Sequence, residues 1–384
     1  MKRFLLSAFF LSIVSIQTFS FAEESNQKVI KSNRIDNYEI LSISQPGSLF
    51  YSVTNGIIKS AINLNSNLTF IGRANVGLEK VIDKNNIEIL TTRKDYLYSL
   101  SIKTIHNDVS DLFYSKEVSE SLINNEIIIS DLTANLYSLT KGDSMFLIGL
   151  NQQEVEVVVG EIIPDSEIGW FEGVVNKDLG YKLGINRNIQ AIIWGNKITE
   201  NHLIEIHKNI KYKKIRITGR DSTPNRNWVL PTALVKEMFG DFQIKERDGT
   251  WITIDRAWKD ENIETKNVPI LGRITCHRLM WEPLLGAFNQ IIEENLQSGL
   301  SREQYQEAGG CYAPRRINRF DSGGSISRHA WGIAIDINTK TGYKPRIVEI
   351  FNDWGFAWGG TWTSPDAMHF ELRSLSASIS QANK

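Results

Sequence analysis

Two short stretches near the C-terminal end alternate apolar and polar residues with a period of two. In Ile333, Ala334, Ile335, Asp336 and Ile337 the isoleucines share one face while Ala334 and Asp336 share the other, which predicts a strand. In Met368, His369, Phe370, Glu371 and Leu372 the same period sets His369 and Glu371 opposite three apolar residues. Between the two, Ile347, Ile350, Phe351 and Trp354 follow the i, i+3, i+4, i+7 spacing of a helix with one buried stripe. Leu284, Leu285, Phe288, Ile291 and Ile292 predict a longer helix opened near Pro283, a residue tolerated in a first turn. Ser301 with Gln304 three residues on predicts a short helix with a capping-box-like start. A short helix through Met238 and a β-turn-β segment from Phe242 to Ile254, around Asp248 and Gly249, precede these.

The stretch from about Ile40 to Thr218 has a different texture. Short β-like runs at 87–90, 96–104, 126–130, 154–163, 189–194 and 214–217 are separated by turn signals such as Lys141, Gly142 and Asp143, with some helix near Leu203 to Lys211. The fold class is therefore α+β: a small antiparallel sheet with flanking helices over 229–374, preceded by a β-rich accessory region over 23–220. That region opens with a polar lead-in to about residue 45. A polar, proline-containing linker from Asp221 to Asn227 separates the two parts, and the tail at 375–384 is expected to be disordered. No internal repeat is present, and 384 residues with 41% hydrophobic content are enough for two or three domains.

The first residues address the chain. Lys2 and Arg3 form a basic start, Phe4 to Val14 an apolar run too short for a membrane span, and Ser20, Phe21 and Ala22 a small-x-small cleavage site. A signal peptide over 1–22 is expected, hence export to the periplasm or beyond, with no transmembrane helix in the mature chain. Cleavage removes two cations and no acids, taking the net charge from −1 to −3 (−1 − 2), and nothing points to nucleic acid.

The candidate chemistry sits on the two alternating stretches. His329, Asp336 and His369 offer two imidazoles and a carboxylate, a set that suits Zn²⁺ and leaves a fourth position for water. Gly332 lets the chain bend so that His329 returns toward Asp336. Asp366 and Glu371 remain as candidate bases; Glu371 reads equally as a partner orienting a histidine or as a plain strand residue. Trp358 and Trp362, around Gly359 and Gly360, read either as walls of a cleft or as cover for a small core.

Ser327, His329, Gly332, Ala334 and Asp336, followed by Asp366 and His369, fill every position of the pattern Ser-x-His-x-x-Gly-x-Ala-x-Asp plus acid-x-x-His. This resembles the VanY-like zinc D-alanyl-D-alanine carboxypeptidases and the related L-alanyl-D-glutamate endopeptidases of bacterial cell walls. The resemblance runs over about 229–372, including Gly310 to Arg315 and the helix from Arg278 to Glu294. It implies zinc on His329, Asp336 and His369, Asp366 as general base, Arg315 for an oxyanion or substrate carboxylate with Arg316 as the competing neighbour, and peptidoglycan peptides as substrate. Aspartate at 366, where many of the carboxypeptidases carry glutamate, is closer to the endopeptidase branch. Ser327 then contacts substrate or shapes the turn. Cys276 and Cys311 both lie in this region and, after export, in an oxidising compartment, which leaves a disulfide or two buried thiols. The alternative reading is a zinc-containing envelope module that binds wall peptides without cleaving them.

Overall fold

Asn67–Ile82 is a 16-residue strand whose successive partners organise the N-terminal part of the protein. The computed structural model describes residues 40–375 apart from 170, 196–197, 213, 220–228, 309, 318–323 and 363. The expected signal peptide, the linker Asp221 to Asn227 and the tail beyond residue 375 lie outside the described residues.

The second half of the long strand pairs with Leu97–Ile105 on one side and Ser144–Ile148 on the other. From Ser144–Ile148 the pairing passes through Glu154–Ile163, Ile127–Ser130 and Gly173–Asn176, then returns to Leu97–Ile105. The ring closes, so these strands hide one another's edges. Its interior shows the period of two directly. Val76 with Leu78, Leu100 with Ile102, Ile127 with Ile129, Met145 with Leu147 and Val157 with Val159 all point into one buried cluster. The first half of the long strand leaves the ring to pair with Asn188–Trp194, which pairs in turn with Leu41–Ser44, and that strand with Arg216–Gly219. The polar lead-in thus ends earlier than its composition suggests. Leu41–Ser44 is a strand because Leu41 and Ile43 drop into a second core with Val53 and Ile57 of the helix Tyr51–Asn63 and Ile206 of the helix Glu200–Asn209.

The β-turn-β segment forms the hairpin Gln243–Glu246 with Ile252–Ile254, and its position crosses the expected division of the chain. Its backbone extends the large sheet by pairing Gln243 and Ile244 with Tyr98 and Leu97. Its side chains Ile244, Ile252 and Ile254 instead pack into the C-terminal core with Phe239, Phe242, Trp258 and Trp331. Beside it Lys236, 1% exposed, sits 2.7 Å from the fully buried Glu172, 3.4 Å from Asp241 and 2.6 Å from the carbonyl of Ser99, and donates to Tyr137 Oη at 2.9 Å. A buried ammonium survives only with such partners, and here most of them come from before residue 220.

The C-terminal core is wrapped by the helices Trp281–Glu293 and Pro345–Asp353. Gly286 brings the first helix against Trp354: a Cβ there would lie 2.2 Å from the indole ring. Ile347, Ile350 and Phe351 are fully buried, as the helical stripe requires. Next to them lies a three-stranded antiparallel sheet in the order Ala334–Asp336, His369–Leu372, Phe356–Trp358. The whole is a mixed helix and sheet architecture with one large sheet and one small antiparallel one. No helix among the described residues is long and apolar enough to cross a membrane.

Cys276, on the strand Gly272–His277, is joined to Cys311 with Cα atoms 5.4 Å apart and a sequence separation of 35. A loop of that length contributes about 3 to 4 kcal/mol in the chain-entropy model. Reduction should lower the melting temperature by roughly 5 °C. A melt identical with and without reductant, both thiols being titratable afterwards, would remove the bridge from the account.

Candidate metal centre

The register of the small sheet sets Asp336 directly opposite His369, and Ala334 opposite Glu371. On its other side Glu371 faces Ala357. Two alanines leave the Glu371 carboxylate room to turn along its own strand toward His369, while Phe370 and Leu372 anchor the reverse face in the core. His329 arrives from outside the sheet. It sits in the short helix Arg328–Trp331, capped at its start by the Ser327 hydroxyl, which accepts from the His329 backbone N–H at 3.3 Å. The helix ends at Gly332 in the left-handed region, φ +68°, with His277 N only 2.7 Å from where a Cβ would sit. Glycine is required there twice over.

The three donors converge. His329 Nε2 lies 3.2 Å from Asp336 Oδ2 and 3.3 Å from His369 Nδ1, and His369 Nδ1 lies 2.9 Å from Asp336 Oδ1. A tetrahedron with metal–ligand bonds of about 2.0–2.2 Å has edges of about 3.3–3.6 Å, so these separations are close to, and slightly shorter than, those of three ligands on one ion. The outer nitrogens are also committed. His329 Nδ1 donates to the Cys311 carbonyl at 2.9 Å; because a carbonyl only accepts, the proton is on Nδ1 and the Nε2 lone pair faces the cluster. His369 Nε2 meets Glu371 Oε2 at 3.1 Å, leaving Nδ1 to face Asp336. Such outer partners are how a protein fixes the tautomer and aim of a metal-binding imidazole. Behind Glu371 stands the half-buried Arg328, Nε 3.9 Å from Glu371 Oε1, with its Nη2 donating to the Leu230 carbonyl at 2.5 Å.

Electrostatics favour a cation at the centre. Burial opposes ionisation of Asp336, yet the adjoining imidazoles of His329 and His369 hold its carboxyl well below the usual range. Burial likewise opposes a charge on His369, but Asp336 and Glu371 hold its pKa up to about 9. The pocket therefore favours positive charge between these side chains, and a divalent ion would supply it, the donor types being those zinc prefers.

Around the three donors, Asp366 opens a turn closed by the His369 N–H donating to its carbonyl at 3.2 Å, and Gly359 packs beneath both residues, where a Cβ would meet the Asp366 carbonyl at 2.6 Å. The Asp366 side chain is partly exposed and has no hydrogen-bond partner among the described residues. Trp362 lies against the donor cluster, its ring 5.2 Å from that of His369. Trp358 donates to the Ala367 carbonyl at 2.9 Å and packs edge-on to Tyr343. The segment carrying Arg315 runs beside the helix of His329, with Ser327 N donating to the Arg315 carbonyl and Ala313 N to that of His329, both at 2.9 Å. Of the two arginines, Arg316 is consumed: it pairs with Glu246 and donates to the Gly324 carbonyl. The half-buried Arg315 makes no side-chain ion pair among the described residues. His106, His202, His207 and His277 stand apart from the cluster. His277, for instance, faces the Phe239 carbonyl, and burial pushes its pKa down to about 4.

Tyr343 carries no sequence signal, and the structure gives it a place. Its hydroxyl reaches the carbonyls of Ile337 and Met368, the residues next to Asp336 and His369, and so ties together the ends of both ligand strands. Burial, then Asp336 and less strongly Asp366, push its pKa well up, so it stays protonated and donating. Tyr343→Phe should keep the fold and weaken metal affinity by about 10–100-fold, the scale for outer partners of a metal site. Metal titration against a competing chelator checks this, and unchanged affinity would reduce Tyr343 to packing.

Residues 321–372 match the model of a protein family described as D-alanyl-D-alanine carboxypeptidase. No curated protein matches the chain. The matched segment contains His329, Asp336, Asp366, His369 and Glu371, so the clustered residues fall within the part of this chain that is similar to that VanY-like peptidase family.

Proposed function

We propose that the protein is a zinc-dependent peptidase of the cell envelope that hydrolyses stem peptides of peptidoglycan. The observation that carries this reading is the convergence of His329 Nε2, Asp336 and His369 Nδ1 at tetrahedral spacing beside an unpartnered carboxylate, inside the segment similar to the carboxypeptidase family. His329, Asp336 and His369 would hold the ion, which when bound acidifies a water and polarises the scissile carbonyl. Asp366, presented by the turn that ends in His369, takes the water's proton as attack begins and returns it to the leaving amine. Arg315, not neutralised by any described residue, meets the developing oxyanion or the substrate carboxylate with two parallel N–H groups. Glu371, backed by Arg328, holds the His369 ring in place. Export, as the N-terminal residues suggest, brings the enzyme to its substrate.

Mass spectrometry of muropeptides incubated with the purified, zinc-loaded protein tests the reading. Loss of a terminal D-alanine, or scission between L-alanine and D-glutamate, is the expected result and identifies the bond. Intact muropeptides that nonetheless bind the protein would replace the enzyme with a wall-peptide-binding module.

A further inference from the structure

Trp362 packs against His369 and also lines a cavity of about 290 Å³ whose other walls are Ser44, Gln45, Pro46, Arg216 and Ser364. Four of these six residues come from the β-rich region, to which nothing so far gives a role in chemistry. The cavity is placed by sheet register: Ser44 ends its strand directly opposite Arg216, and the chain then turns through Gln45 and Pro46. Two polar atoms of its lining residues are buried with no hydrogen-bond partner, Gln45 Oε1 and Trp362 Nε1. Gln45 is only 8% exposed, and its amide nitrogen is already used on the Ser48 carbonyl at 2.6 Å, so its oxygen alone is left over. Arg216 is exposed and makes no ion pair among the described residues. Both atoms are shut off from solvent, so a ligand in the cavity meets them once their side chains turn toward it, and native proteins rarely leave such atoms unmatched.

The lining specifies those groups. Gln45 Oε1 accepts, so it calls for an N–H; Trp362 Nε1 donates, so it calls for a carbonyl oxygen; the Arg216 guanidinium calls for a carboxylate. One amide unit bearing a carboxylate offers all three. We propose that this cavity is a substrate subsite, built jointly by the accessory region and the Trp362 loop, that takes a carboxylate-bearing residue of the peptide next to the scissile bond, with Arg216 reading the carboxylate. The proposal rests on the peptidase reading, because Trp362 connects the cavity to the metal site through His369. It gives residues 40–219 a part in selecting substrate.

The test uses the full-length zinc-loaded chain and two stem peptides identical except that one carries a free side carboxylate and the other its carboxamide. The wild type should prefer the acid. Arg216→Gln should cut kcat/KM for the acid about tenfold, mainly through KM, and that for the amide by less than twofold, while Gln45→Leu should weaken both peptides. Arg216→Lys should recover only part of the preference, because an ammonium lacks the planar two-point contact. Calorimetric binding of both peptides to Asp366→Asn protein, with and without Arg216→Gln, gives a readout independent of turnover. Cleavage with an acid-to-amide ratio unmoved by Arg216→Gln and Gln45→Leu overturns the subsite and leaves the peptidase standing. Arg216-dependent binding of the acid without cleavage by the wild type keeps the subsite and overturns the peptidase.

Discussion

His329→Ala and His369→Ala are each expected to strip the protein of its metal and of all measurable peptidase activity. With one imidazole gone, two protein ligands remain where a catalytic zinc site uses three, and affinity should fall by well over about 100-fold. The loss is larger here than ligand counting implies. Asp336 is 2% exposed and has both histidines as its partners, so either change also leaves a buried carboxylate short of a hydrogen bond. Metal analysis after dialysis, with far-UV circular dichroism to show that the fold persists, decides the matter. Full zinc occupancy in both variants would mean that the ion binds elsewhere.

Asp366→Asn should separate holding the metal from using it. The side chain takes no part in the donor cluster and has no structural hydrogen bond among the described residues, so the variant should fold and keep its zinc. An amide cannot accept the water's proton, and kcat on stem peptides should drop by at least about 100-fold with little change in KM. Turnover equal to that of the parent would hand the role to solvent or to Glu371, although Glu371 is already engaged with His369 and Arg328.

The convergence of the three donors was legible in the sequence because short strands write their geometry in a period of two. Asp336 and His369 had to face away from the isoleucines and from Phe370, and Gly332 marked the bend that returns His329. What the pattern could not state was which nitrogen of each ring turns inward, since that is decided by distant acceptors, the Cys311 carbonyl for His329 and Glu371 for His369. Nor could it say which of Arg315 and Arg316 is already paired; Glu246, 70 residues away, takes Arg316. Ser327 spends its hydroxyl on the turn, which the spacing left open. Tyr343 was invisible because a lone tyrosine after Gly342 has no periodic neighbour to reveal its direction. In the N-terminal part the strand texture was readable and the closed ring was not. Closure depends on pairing Leu97–Ile105 with both Asn67–Ile82 and Gly173–Asn176, a non-local choice, and helices as short as Asn107–Phe113 and Asp131–Tyr137 span too few turns to show a stripe.

The buried Lys236 bears on how such a protein can be inherited. Were the segment from 229 onward moved into another gene, Lys236 would arrive without Glu172, Ser99 and Tyr137, and the hairpin at 243–254 would present an uncovered edge where Leu97 and Tyr98 had been. An ammonium left with Asp241 alone and a bare strand edge both favour aggregation of a newly transplanted domain. The two parts of this chain are therefore expected to travel through genomes together, and circular permutation or domain shuffling at the 220–228 junction should be tolerated poorly despite its linker-like composition.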